Sequence, residues 1–106
     1  MIDARQHIIG KLIPFAFETI TVADTAIGLT DSTTYLQASP KPKKVFITVE
    51  TAQFRYRIDG TDPEATVGHL TNPMDGITLE GFSQLNNFKA IRKGVTSASI
   101  SVTYLR

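Results

Sequence analysis

Three groups of residues carry side chains capable of chemistry, and their spacing argues against a reactive centre in each. The histidines, His7 and His69, lie far apart in the chain. Neither has a second imidazole at the three- or four-residue spacing that lets two ligands share a metal. A metal site would need carboxylates supplied by distant segments, so these are better read as surface or edge-strand histidines. Asp59, Asp62, Glu64 and Asp75 form an oxygen-rich group. Asp59-Gly60-Thr61-Asp62-Pro63 nevertheless lacks the alternating ligands and terminal glutamate of an EF-hand loop. Aspartates in such positions bond their own backbone and make turns. Serine and threonine are plentiful, but there is no Gly-x-Ser-x-Gly elbow and no phosphate-cradling glycine loop. The chain has no cysteine, which excludes disulfides, thiolate metal sites and a cysteine nucleophile. The expectation is a non-enzymatic protein with no cofactor and no metal.

The remaining candidates are contact residues. Arg55, Tyr56 and Arg57 resemble a strand that stacks bases and holds phosphates. Side chains alternate along a strand, however, so Tyr56 faces away from both arginines and the two functions would not converge. With a formal net charge of +1, no global field favours nucleic acid or an anionic membrane. Arg55 and Arg57 therefore suit a solvated or interface face paired with neighbouring acids. Lys41, Lys43 and Lys44 surround Pro42 and read as a polar loop. Phe46 and Leu105 point to the polar side of well-patterned strands. That is ordinary for isolated side chains on a monomer and equally suits a subunit interface. Ile8, Ile9, Leu12 and Ile13 are interrupted by Gly10, Lys11 and Pro14. They form neither a signal-peptide core nor anything near the roughly 18 apolar residues of a membrane span. They fit an arm, residues 1–14, whose apolar side chains a partner would bury.

The elements that must position these residues are short strands. At 106 residues, 42% apolar and 20% charged, the chain suits one folded domain over residues 15–106. Phe15 to Val22 alternates, with Phe15, Phe17, Thr19 and Thr21 expected on one face. Thr33 to Gln37 reads as a short strand containing Tyr35. In Val45 to Glu50, the residues Val45, Ile47 and Val49 are expected to face the core. Phe54 to Ile58 follows so closely that a hairpin is expected between the two. Val67 to Leu70 suits an edge strand, Ile77 to Glu80 another strand, and Gly81 to Asn87 an irregular connection. Phe88 to Arg92 and Ser97 to Leu105 complete the set; the last places Ala98, Ile100, Val102 and Tyr104 on one face. About seven to nine strands with frequent turn signals indicate an all-β chain, a single β-sandwich of jelly-roll or Ig-like type.

Arg55-Tyr-Arg-Ile-Asp-Gly-Thr-Asp-Pro-Glu-Ala-Thr-Val-Gly68 resembles a segment found in small structural proteins of tailed bacteriophages. The resemblance continues through Gly76 to Gly81, Phe88 to Arg92 and Ser97 to Tyr104, and lies within residues 45–106. It implies a virion protein made in the host cytoplasm, one that decorates or cements the capsid or sits at the head–tail junction. Its implied partners are other virion proteins and further copies of itself, with neither nucleic acid nor membrane involved. The interface residues expected on this reading are Ile8, Ile9, Leu12, Ile13, Phe46, Arg55 and Arg57. Tyr56-Arg-Ile-Asp-Gly-Thr-Asp-Pro63 is also similar to a strand-to-turn device in Ig-like modules of polysaccharide-degrading enzymes. That resemblance implies a carbohydrate- or cell-surface-binding module instead.

Overall fold

The last strand of the chain lies in the middle of the larger sheet, and this placement organises the fold. The structure, a computed structural model, describes residues 12–106. It contains β1 (Pro14–Val22), β2 (Lys44–Glu50), β3 (Phe54–Arg57), β4 (His69–Thr71), β5 (Gly76–Glu80), α1 (Phe82–Asn87), β6 (Lys89–Arg92) and β7 (Ala98–Leu105). The strands are antiparallel and form two packed sheets, ordered β1-β7-β2-β5 and β4-β3-β6. The all-β sandwich anticipated from the alternation is present, with one short helix added. No helix among the described residues is long and apolar enough to cross a membrane.

Alternation explains the larger sheet directly. Across it, Ile20 is level with Ile100 and Val49, and Val102 is level with Ile47 and Ile77. Tyr104 is level with Val45 and Leu79. All of these side chains are buried, and Phe54, Leu85, Phe88 and Ala90 meet them from the rest of the chain. Each buried valine, leucine, isoleucine or phenylalanine among them contributes about 1.5–3 kcal/mol by leaving water.

The intervening residues form the outer face. Phe17, Thr103, Phe46 and Thr78 make one row, and Thr19, Ser101, Thr48 and Gly76 make the next. Beyond these rows, Leu105, Lys44 and Glu80 lie toward one end, and Thr21, Ser99 and Glu50 toward the other.

The smaller sheet is protected along one edge. Ile27, from the β1–β2 connection, exchanges backbone hydrogen bonds with Ala90 of β6 at 2.9 and 2.8 Å. The Arg92 N–H donates to Ala23 O at 2.9 Å. Backbone groups that would otherwise face solvent or another chain are thereby paired.

Four expectations are corrected. Thr33 to Gln37 forms turns rather than a strand: Tyr35 and Gln37 both donate to Ser32 O, at 3.1 and 2.8 Å. The local β-preference of threonine and tyrosine yields there to the burial of Leu36 and Ala38. Gly81 to Asn87 contains α1, which buries Leu85; six residues are too few for a helical period to be legible. β2 and β3 are not a hairpin, because the chain leaves one sheet for the other between them, through Thr51 at φ +73°. Finally, Phe15 and Phe17 do not act as a same-face pair. A register shift between Pro14 and Ala16 lets Phe15 pack against the core, 6.2 Å from the Tyr104 ring, while Phe17 stays 60% exposed.

Because β7 pairs on both sides and its Ile100 is completely buried, Ile100→Ala should cost about 2–5 kcal/mol. Urea unfolding monitored by circular dichroism checks this.

Candidate functional site

The described residues form an open cleft of about 450 Å³ at the end of β3, lined by Arg57, Ile58, Asp59, Val67, Gly68 and His69. The loop 58–68 makes its wall, and local sequence explains why the loop holds. Asp59 Oδ1 accepts the Thr61 N–H at 3.3 Å, and Gly60 takes φ +86° behind it. This is turn formation by an aspartate. Glu64 and Val67 then exchange backbone hydrogen bonds at 2.9 and 3.0 Å, folding the loop tip back on itself.

Arg55 secures the loop from the adjoining strand. Its Nε donates to Ala65 O at 2.9 Å and its Nη1 to Gly68 O at 3.0 Å. Gly68 is needed here for two reasons: its φ of +137° disfavours any other residue, and an added Cβ would lie 3.1 Å from Tyr56 O. The side chain expected to contact a partner is therefore engaged by its own chain. Arg57 is engaged as well, its Nε and Nη2 donating to the two Asp59 carboxylate oxygens at 3.1 and 2.5 Å. The hydrogen bond to Arg57 holds the Asp59 carboxyl below its ordinary range, and the Thr61 N–H adds to this. The same partner raises the Arg57 guanidinium.

On the other side, Tyr56 stands opposite His69 in register, with ring centroids 5.3 Å apart, and packs on Phe88 at 5.7 Å. The cleft lining therefore offers one imidazole and one guanidinium already bound to a carboxylate, with no side-chain hydroxyl or thiol. A hydroxyl or thiol nucleophile paired with a base is therefore not assembled in this cleft. Among the described residues, no three His, Asp or Glu side chains come together to hold a metal ion.

The other interface candidates are dispersed. Ile8 and Ile9, like His7, lie outside the described residues. Leu12 is half-buried. Ile13 is 59% exposed, and its backbone pairs with Arg106 at 2.9 and 3.0 Å, extending the β1–β7 ladder. Phe46 is 48% exposed on the outer face of the larger sheet, whereas Arg55 and Arg57 belong to the smaller one. The structure thus does not gather these residues into one surface.

Two features escaped the reading by pattern. Phe17 joins Phe46 in one cross-sheet row, which requires knowing that β7 separates β1 from β2. Glu18 points inward, accepting hydrogen bonds from the Tyr104 hydroxyl and the Thr30 hydroxyl, with the Thr30 N–H at 3.4 Å. Burial pushes the Tyr104 phenol well up and the Glu18 carboxylate pushes it further, so the tyrosine remains a neutral donor. Glu18 had no sequence neighbour to mark it, because Tyr104 and Thr30 come from distant segments.

No protein-family model, curated protein or solved structure matches the chain.

Gly68→Ala should destabilise the protein by about 1–3 kcal/mol and expose the 58–68 loop to proteolysis, read from thermal unfolding and limited digestion. The stability given by Asp59 should be present above the ordinary aspartate pKa of about 3.9 and disappear as pH falls through its lower folded value. Unfolding midpoints of wild type and Asp59→Asn should accordingly differ at neutral pH and converge in acid.

Proposed function

We propose that this chain is a non-enzymatic structural protein of a tailed-bacteriophage virion, acting through protein–protein contacts at the capsid surface or the head–tail junction. The observation that carries the reading is the combination of a cleft whose cation is already neutralised with apolar side chains displayed at several surfaces. Ile13, Phe17 and Phe46 are exposed on or beside the larger sheet, and Val67, Leu70 and Met74 around the smaller one. Display of this kind supplies contact area rather than reactivity. The resemblance of Arg55–Gly68 and of the segments forming β5, β6 and β7 supplies the virion context. Partners on this reading are other virion proteins and further copies of the chain.

A carbohydrate- or cell-surface-binding module is the second reading. It is favoured by the two exposed rings, Phe17 and Phe46, on one sheet face, because sugars stack on exposed aromatics. Saturable binding on a glycan array, lost in Phe17→Ala and Phe46→Ala, would establish it in place of the first.

Removing residues 2–11 leaves Ile13 and its pairing with Arg106 in place. The shortened protein should unfold at an unchanged temperature yet bind phage particles at least tenfold more weakly in co-sedimentation. Full particle binding by the shortened protein would exclude the arm as the attachment element, and no particle binding by the intact chain would exclude the virion role.

A further inference from the structure

We infer that the outer face of the β1-β7-β2-β5 sheet is a self-complementary surface that packs on the same face of a second copy of this chain. The two central rows, Phe17-Thr103-Phe46-Thr78 and Thr19-Ser101-Thr48-Gly76, contain no charged residue. The charges of this face stand at its ends, and from one end the Glu50 carboxylate accepts a hydrogen bond from Ser101 Oγ of the second row at 2.9 Å. Both phenylalanines fall in the first row, and the second holds only threonine, serine and glycine. The Phe46 ring leans toward Gly76, to which an added Cβ would approach within 3.5 Å of it.

Symmetry turns this division into complementarity. A two-fold axis lying in the sheet plane and crossing the strands at the Val102–Ile47 row lays each strand antiparallel on its own copy. The first row then meets the second: Phe17 lies over the partner's Thr19, and Phe46 over the partner's Thr48. Phe17 thereby meets a small side chain, the arrangement that lets two sheets interdigitate, while the two Phe46 rings, each leaning toward its own Gly76, approach one another near the axis. The same axis places Lys44, at one end of β2, over the partner's Glu50 at the other end, and repeats that contact by symmetry. Shape and charge are satisfied by one operation.

Strands spaced about 4.8 Å and residue steps of about 3.4 Å give this face a projected area of roughly 400 Å² per copy. With side-chain relief included, the pair buries on the order of 1,000 Å², the lower bound for a specific interface. A reversible, concentration-dependent dimer is therefore expected. This inference concerns the chain alone and stands whether or not the protein belongs to a virion.

Sedimentation velocity on the full chain over a concentration series tests it. Wild type should shift from monomer to dimer, and Thr48→Arg should weaken association at least tenfold with unchanged thermal unfolding. Lys44→Glu and Glu50→Lys should each weaken it several-fold, and the double reversal should restore it, since the pairs re-form with exchanged signs. The double reversal also serves if Thr48→Arg perturbs folding. Wild type remaining monomeric up to about 1 mM, the weak limit of a specific complex, overturns the inference. So does a dimer indifferent to Thr48→Arg and to both charge reversals. Failure of the double reversal to recover association overturns the proposed axis. A dimer seen only after removal of residues 2–11 would assign the face to an intrachain cover instead.

Discussion

The double pairing of β7 is the constraint on which the rest of the structure depends. This strand is the last in the chain, yet β1 and β2 reach the same sheet only through it. Its inward residues Ala98, Ile100, Val102 and Tyr104 are all buried. Removing the strand would leave β1 without a partner and β2 with β5 alone. Because the pairs it makes join residues distant in sequence, loop-closure entropy must be overcome before much packing is gained. Slow, cooperative folding is the expected character of such a topology.

Around that sheet, the polar groups mainly hold backbone in place. Arg55 fastens the 58–68 loop through two carbonyl oxygens, and Arg57 closes onto Asp59. Glu18 secures the β1–β2 connection through Thr30 while satisfying the buried Tyr104 hydroxyl. An inward-pointing carboxylate on a terminal strand also discourages edge-to-edge addition of another sheet, because its desolvation must be matched by hydrogen bonds. These side chains are spent on architecture, and the two central rows on the outer face of the larger sheet carry hydroxyls, methyl groups and two rings.

This division of labour bears on function. A structural protein needs large, stable faces rather than a poised nucleophile, and a sandwich supplies two such faces together with its loops. The threonine- and serine-rich face of the larger sheet can be covered at little desolvation cost, since its hydroxyls are less strongly hydrated than charges. Specificity on such a surface comes from shape and from the few charges at its ends. The cleft beside His69 belongs to the other sheet and would remain accessible when that face is covered.

The sequence by itself determined the class of fold and the inward residues of the regular strands. In β2 and β7, apolar and polar residues alternate except at Phe46 and Leu105, and a period of two has only one interpretation when one face must be buried. Asp59-Gly60 likewise determined its turn, because its backbone preference is local. Tertiary structure alone decided which strands are neighbours, and hence that Phe17 and Phe46 share a row across β7. It also reversed local preference at Thr33 to Gln37, where burying Leu36 and Ala38 outweighs β-propensity, and turned Phe15 inward through a register shift that alternation cannot show. The roles of Arg55 and Glu18 were illegible for the same physical reason: their hydrogen-bond partners lie elsewhere in the chain and are selected by packing rather than by spacing.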